Sequence, residues 1–192
     1  MRILFDMDGV VMDTMSSWLR MYNRDYNDGL KADDIVSSTI EKYLKPECGE
    51  GIYEYLRIKG FFRQAQPYPE AKDGIQNLFN TENDIWFVAT PAPGAEYFMN
   101  ETIEWVEEHF PQIGSGKIIF CLHKGIINGH ILIDDVFENF DGFRGVKVLF
   151  QRPWNQHITP ARLSDINNPQ CAKTGNWNDI IDIVKLLSVL LG

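Results

Sequence analysis

Ile3-Leu4-Phe5-Asp6-Met7-Asp8-Gly9-Val10-Val11 is an apolar run that ends in two carboxylates one residue apart, followed by a glycine. It reads as a short buried strand. Side chains alternate along a strand, so Asp6 and Asp8 emerge on the same side at its C-terminal end. Held ~4 Å apart, two carboxylates repel by about 4 kcal/mol at an effective dielectric of ~20, so a cation or a proton belongs between them. The competing reading is a surface Asp-x-Asp turn in which Gly9 supplies a positive φ.

Outward from that stretch, apolar runs at 85–88, 118–120, 131–133 and 146–150 predict further strands. Most are continuously apolar, as expected of a parallel sheet covered on both faces. Helical patterns lie between them, clearest at 74–79 and at 97–110, where Phe98, Ile103, Val106 and Phe110 recur and Pro111 closes the element. This alternation predicts a doubly wound α/β fold with a parallel sheet flanked by helices. Ligands of such folds bind outside the carboxyl ends of the strands, where Asp6 and Asp8 fall.

Residues 14–69 break the alternation. Their pattern is helical (Trp18, Leu19, Met21 and Tyr22; then 35–44; then 52–56) and contains no convincing core strand. Inserted directly after the first strand, the segment would sit over the active face as a small helical cap; the plainer alternative is a set of peripheral helices. The expected division is a catalytic core of 1–13 and 70–192 with a cap of 14–69.

At 192 residues, with 44% hydrophobic and 12% aromatic residues, the chain has ample material for a globular core. A net charge of −9 without a long basic run argues against binding a nucleic-acid polymer. A small anionic substrate stays open if a metal or a few placed cations offset the local field. Cys48, Cys121 and Cys171 are odd in number and form no Cys-x-x-Cys pair, which fits a reducing compartment. Only three apolar residues separate Arg2 from Asp6, too few for a signal-peptide core. The apolar tail at 180–190 is interrupted by Asp182 and Lys185, falls short of a membrane span, and suits a helix packed on a sheet. The expectation is a cytoplasmic protein that spans no membrane.

Three further polar sites follow predicted strands: Thr90, Lys124, and the pair Asp134-Asp135. Singly, each has a plain reading as a strand-end cap, a solvated charge and a helix N-cap. Together on one sheet edge with Asp6 and Asp8 they make a site for Mg²⁺ and phosphate. His109, His123, His130 and His157 lack paired ligand spacing, so no zinc site is expected. Trp18, Trp86 and Trp105 read as packing, while Arg152, Trp154 and Asn155 either reach substrate or form a solvated loop.

The order Asp-x-Asp-Gly, strand-end Thr, Lys, then Asp-Asp resembles the haloacid dehalogenase superfamily of aspartate-dependent phosphatases, whose four motifs are present in order from Asp6 to Asp135. Room for a cap exists between Asp6 and Thr90 but not between Thr90 and Lys124. Gly60-Phe61-Phe62, followed by Pro67-Tyr68-Pro69-Glu70-Ala71, is similar to a segment of the 5′(3′)-deoxyribonucleotidases. So are Leu132-Ile133-Asp134-Asp135 and, near the end, Val148-Leu149-Phe150 with Trp154-Asn155-Gln156. Two departures stand out: Glu70 replaces an expected glycine, and Pro91 after Thr90 removes an N–H donor.

The resemblance implies a phosphomonoesterase with Asp6 as nucleophile and Asp8 as general acid and base. It implies phosphate contacts from Thr90 and Lys124, and Mg²⁺ held by Asp6, the Asp8 carbonyl and Asp134, with Asp135 behind the ligands. Phe61 and Phe62 would line the substrate pocket and stack a base, or else pin the cap to the core. The substrate implied is a deoxyribonucleoside monophosphate, and a homodimer stays open. The competing substrates are a sugar phosphate or phosphoglycolate; the competing classes are a receiver-like signalling domain and a silent nucleotide-binding domain.

Overall fold

The computed structural model describes residues 1–159 and 171–191. In chain order its main elements are β1 (Arg2–Asp6), β2 (Met12–Asp13), α1 (Thr14–Tyr26), β3 (Gln66–Pro67), α2 (Pro69–Phe79) and β4 (Asp84–Ala89). There follow α3 (Phe98–His109), β5 (Ile118–Phe120), β6 (Ile131–Asp134), β7 (Val146–Phe150), β8 (Cys171–Thr174) and α4 (Trp177–Leu191). Six strands form one parallel sheet in the order β5-β4-β1-β6-β7-β8, the α/β architecture that the alternation predicts.

β1 is central because it is apolar on both faces. Leu4 packs on one side with Val88, Leu132, Phe140 and Phe143. Ile3 and Phe5 enter the larger core on the other side. All three are fully buried. The register sets Asp6 beside Val88 of β4 and Phe5 beside Ile133 of β6, so the ends of three adjacent strands meet at one edge. Helices α2 and α4 close tightly beneath Phe5. A Cβ on Gly74 of α2 would stand 2.3 Å from the Trp177 ring of α4, so only glycine admits this approach. That ring stacks on Phe5 at 5.4 Å between centroids.

The strand at 146–150 is not the last, as its apolar run suggests. β8 lies outside it, pairing Val148 with Ala172. This four-residue edge strand carries Lys173, whose Nζ donates to the carbonyls of Asn155, Gln156 and Ile158 at 3.1, 3.1 and 2.9 Å. A short strand containing a charge gives no apolar run to read.

The chain leaves the core along β2 and returns along β3, which pair antiparallel as Met12 with Pro67 and Asp13 with Gln66. Between them, α1 begins where the Asp13 carboxylate accepts the Ser16 N–H at 3.0 Å. The expected helices at 35–44 and 52–56 form instead as short 3₁₀ segments, Ile40–Tyr43 and Gly49–Arg57. Ser37-Ser38-Thr39, Pro46, Gly49 and Gly51 interrupt the sequence there and deny it the length an α-helix needs. The 180–190 segment lies within α4, with Ile180, Ile181 and Val184 buried. Among the described residues, no helix is long and apolar enough to cross a membrane.

Candidate active site

After β1 the backbone folds back at once. Val11 and Met12 donate N–H groups to the Met7 carbonyl at 2.9 and 2.8 Å, and Gly9 donates to the Met12 carbonyl at 3.1 Å. Gly9 turns this loop with φ of +78°, a left-handed conformation that favours glycine. The turn holds Asp8 next to α1, where the Thr14 hydroxyl donates to its carboxylate. Arg152, stacked over the Tyr68 ring at 3.7 Å, donates its Nε–H to the Gly9 carbonyl and fixes the turn from behind.

Lys124 lies between two strand-end carboxylates. Its Nζ is 2.6 Å from Asp6 Oδ1 and 2.7 Å from Asp134 Oδ2. The lysine side chain is only 1% exposed and Asp134 is fully buried. The Asp134 carboxylate also accepts the Val136 N–H at 2.8 Å and the Asn139 amide at 2.9 and 3.1 Å, which fills its acceptor sites. Asp135 receives the Trp154 indole N–H on Oδ2 at 2.7 Å; its Oδ1 accepts no hydrogen bond among the described residues. Asn155 supports the same residue by donating to the carbonyls of Asp135 and Phe150, both at 2.8 Å.

The charges do not balance within this cluster. Burial, with the neighbouring carboxylates of Asp134, Asp135 and Asp8, pushes Asp6 well above the ordinary carboxylate range despite Lys124. Burial raises Asp8, against the opposing Thr14 hydrogen bond. Burial and Asp134 raise Asp135 to about 7. Burial disfavours the charged form of Lys124, yet Asp6 and Asp134 outweigh it and keep the lysine protonated. One lysine thus faces four carboxylates. Oxygens of Asp6, Asp134 and Asp135 lie within 4.8 Å of one another, a buried set of hard donors that fits a divalent cation such as Mg²⁺.

The other expected residues are placed differently. Thr90 lies just past β4 on the same edge, but its hydroxyl donates to the Cys121 carbonyl at 3.2 Å. Phe61 and Phe62 are 0% and 2% exposed. They meet edge to face at 4.9 Å, Phe61 against Trp18 at 6.4 Å and Phe62 against Phe98 of α3 at 4.7 Å. Phe61 thus packs within the 14–69 segment, and Phe62 joins that segment to α3. Asn139, Thr14 and the buried Glu101 are contributors that the sequence reading did not single out. Glu101 alone had a signal: it falls on the apolar stripe of α3 between Phe98 and Trp105.

The family described as 5′ nucleotidase, deoxy (pyrimidine), cytosolic type C matches residues 1–188. The chain is 36% identical over 151 residues to a 5′(3′)-deoxyribonucleotidase of Clostridium acetobutylicum, covering 79% of this chain and 82% of that protein. It is 28% identical over 178 residues to a 5′(3′)-deoxyribonucleotidase of Bacillus subtilis, covering 93% and 95%. Among solved structures, a HAD family hydrolase from Deinococcus radiodurans with bound phosphate and sodium superposes with a TM-score of 0.57 at 11% identity, covering 93% and 92%. That last likeness concerns the fold.

Proposed function

Because the chain belongs to the cytosolic type C deoxy-5′-nucleotidase family of the haloacid dehalogenase superfamily, we propose that it hydrolyses deoxyribonucleoside monophosphates to deoxynucleoside and phosphate. Membership makes it a phosphoric monoester hydrolase. The observation that carries the reading is Lys124 bridging Asp6 and Asp134 at one end of the central strands.

Asp6 attacks phosphorus in line, the bond to the nucleoside oxygen breaks, and a phosphoaspartate forms. Asp8 protonates the departing oxygen. It then takes a proton from the water that cleaves the acyl phosphate, returning Asp6 to its carboxylate. The raised affinity of Asp8 for its proton supports the first of these roles. Lys124 offsets charge on the nucleophile and on the phosphoryl oxygens, where fixed charges contribute most of catalysis. Thr90 binds phosphate once its hydroxyl turns from the Cys121 carbonyl.

Mg²⁺ would be held by Asp6, the Asp8 carbonyl and Asp134, with Asp135 close behind, and when bound it supplies positive charge to the phosphoryl group. Asp134 joins that shell only by giving up one of its present donors, whereas Asp135 Oδ1 accepts no hydrogen bond among the described residues. The three free cysteines among the described residues support a reducing, cytoplasmic location. The burial of Phe61 and Phe62 favours one rival reading, a phosphatase for a sugar phosphate or phosphoglycolate, which needs no aromatic face.

Phosphate release from ribo- and deoxyribonucleoside monophosphates, a sugar phosphate and phosphoglycolate, each with Mg²⁺ or with chelator, tests the reading. We expect deoxyribonucleotides to be fastest and chelator to stop turnover. Equal or faster release from the non-nucleotides overturns it.

A further inference from the structure

One face of α3 grips the segment that contains Gly60, Phe61 and Phe62. Phe98, Glu101 and Trp105 follow one another at helical spacing and are all buried. The Glu101 carboxylate, 6% exposed, accepts the backbone N–H groups of Gly60, of Phe62 at 3.0 Å and of Arg63 at 3.4 Å. One turn further on, the Trp105 indole donates to the Ala65 carbonyl at 2.7 Å. Phe98 meets the Phe62 ring.

Among the described residues no cation forms an ion pair with Glu101. Arg63, beside it in sequence, turns outward to Glu104 and Glu108. A buried carboxylate costs several kcal/mol unless it is hydrogen-bonded, and here successive backbone amides take the place of a cation. Gly60 supports this geometry with φ of +90°. An apolar residue would serve if packing were the only need. The carboxylate fixes the backbone of 60–63 in one position relative to the core.

We propose that Glu101 is a positioning residue for substrate selection: by clamping the 60–63 backbone it sets where the cap meets the nucleoside half of the substrate. The proposal rests on the nucleotidase reading above. Glu101 touches neither the phosphate nor the reacting carboxylates. Its effect is therefore a discrimination between a nucleotide and a phosphomonoester without a nucleoside.

The test uses Glu101→Gln, which keeps the shape but loses the charge and places an NH₂ against amide donors. Its control is Arg63→Gln, which removes only the exposed ion pairs at the same junction. Two quantities are read in the full chain: amide hydrogen exchange, and kcat/KM for a deoxyribonucleoside monophosphate divided by kcat/KM for p-nitrophenyl phosphate. In Glu101→Gln we expect exchange at Phe62 and Arg63 to quicken by about tenfold or more while β1 and β6 stay protected. We expect the kcat/KM ratio to fall by about tenfold or more, through KM for the nucleotide. Arg63→Gln should change neither.

Unchanged exchange at 60–63 overturns the clamp. Faster exchange with an unchanged ratio, or an equal loss on both substrates, overturns the role in selection. Wild-type protein that turns over p-nitrophenyl phosphate but no deoxyribonucleotide overturns the nucleotidase reading itself, and with it the selection role, while the exchange data still report on the clamp.

Discussion

The Asp135 carboxylate occupies the space that a side chain on Gly9 would need: a Cβ there would stand 2.3 Å from Asp135 Oδ2. Turn and acidic pair are thus packed against each other without a gap, which couples the position of Asp8 to that of Asp135. Gly9→Ala adds a methyl at this contact and strains a φ of +78°. We expect kcat to drop by about 100-fold or more, the effect of a ~1 Å misplacement of reacting groups. Steady-state kinetics and near-UV circular dichroism check this; near-normal kcat would show that the turn can shift without disturbing the chemistry.

Asp6→Asn removes the proposed nucleophile and one of three crowded carboxylates. Turnover should fall by ~10⁴-fold or more, as for loss of a nucleophile elsewhere. Without divalent ions, the melting temperature should hold or rise, because like-charge repulsion within the cluster decreases. Substantial residual phosphate release would mean that a different group attacks phosphorus.

Lys124→Met leaves Asp6 and Asp134 buried without their shared cation. Removing one partner of a buried ion pair costs about 3–5 kcal/mol. Urea unfolding in the presence of chelator should show a loss of that order, and added Mg²⁺ should restore part of it.

Asn139→Ala takes away two hydrogen bonds to Asp134 while leaving its charge in place. The Mg²⁺ concentration needed for half-maximal activity should rise by about 10–100-fold, as when groups behind a metal ligand are lost. A Mg²⁺ titration of phosphate release measures this. An unchanged midpoint would separate Asn139 from the metal site.

At the opposite edge of the sheet, Asp84 starts β4 and meets Arg2 Nε at 2.8 Å, Lys117 Nζ at 2.5 Å and the Trp86 indole at 2.8 Å. Burial alone would raise its carboxyl, but those donors outweigh it and hold the group at about 2. A folded value below the unfolded ~3.9 contributes stability that is complete above the unfolded value and is lost as pH falls through about 2. Asp84→Asn should therefore be less stable than the parent at pH 7, with the gap closing in unfolding measurements between about pH 4 and pH 2. Activity should stay within about twofold, since the site lies at the other ends of the strands.

The readable part of this molecule is the part whose physics is local. β1, β4, β6 and β7 announce themselves as apolar runs because both faces are covered. Asp6 and Asp134 stand out as candidates because each ends such a run, and Lys124 because it comes shortly after the apolar run of β5. β8 escaped because an edge strand tolerates Lys173. The 3₁₀ segments escaped because apolar spacing does not reveal where glycine and proline cut a helix short. Glu101 stands apart from Glu104, Glu107 and Glu108 by falling on the apolar stripe of α3, but its partners at 60–63 lie about forty residues away and only the fold brings them together. Asn139 and Trp154 act through folded proximity alone.

The central position of β1 has a consequence for heat and denaturant. Flanked by β4 and β6 and sealed on both sides, it belongs to the region that opens last, whereas the 14–69 segment joins the core through the two-residue pairing of β2 and β3 and the side-chain contacts of α3, with no strand in the main sheet. On the proposed roles, warming should therefore blur the choice of substrate before it disarms Asp6, and a half-melted molecule would become a less discriminating catalyst before it became an inert one.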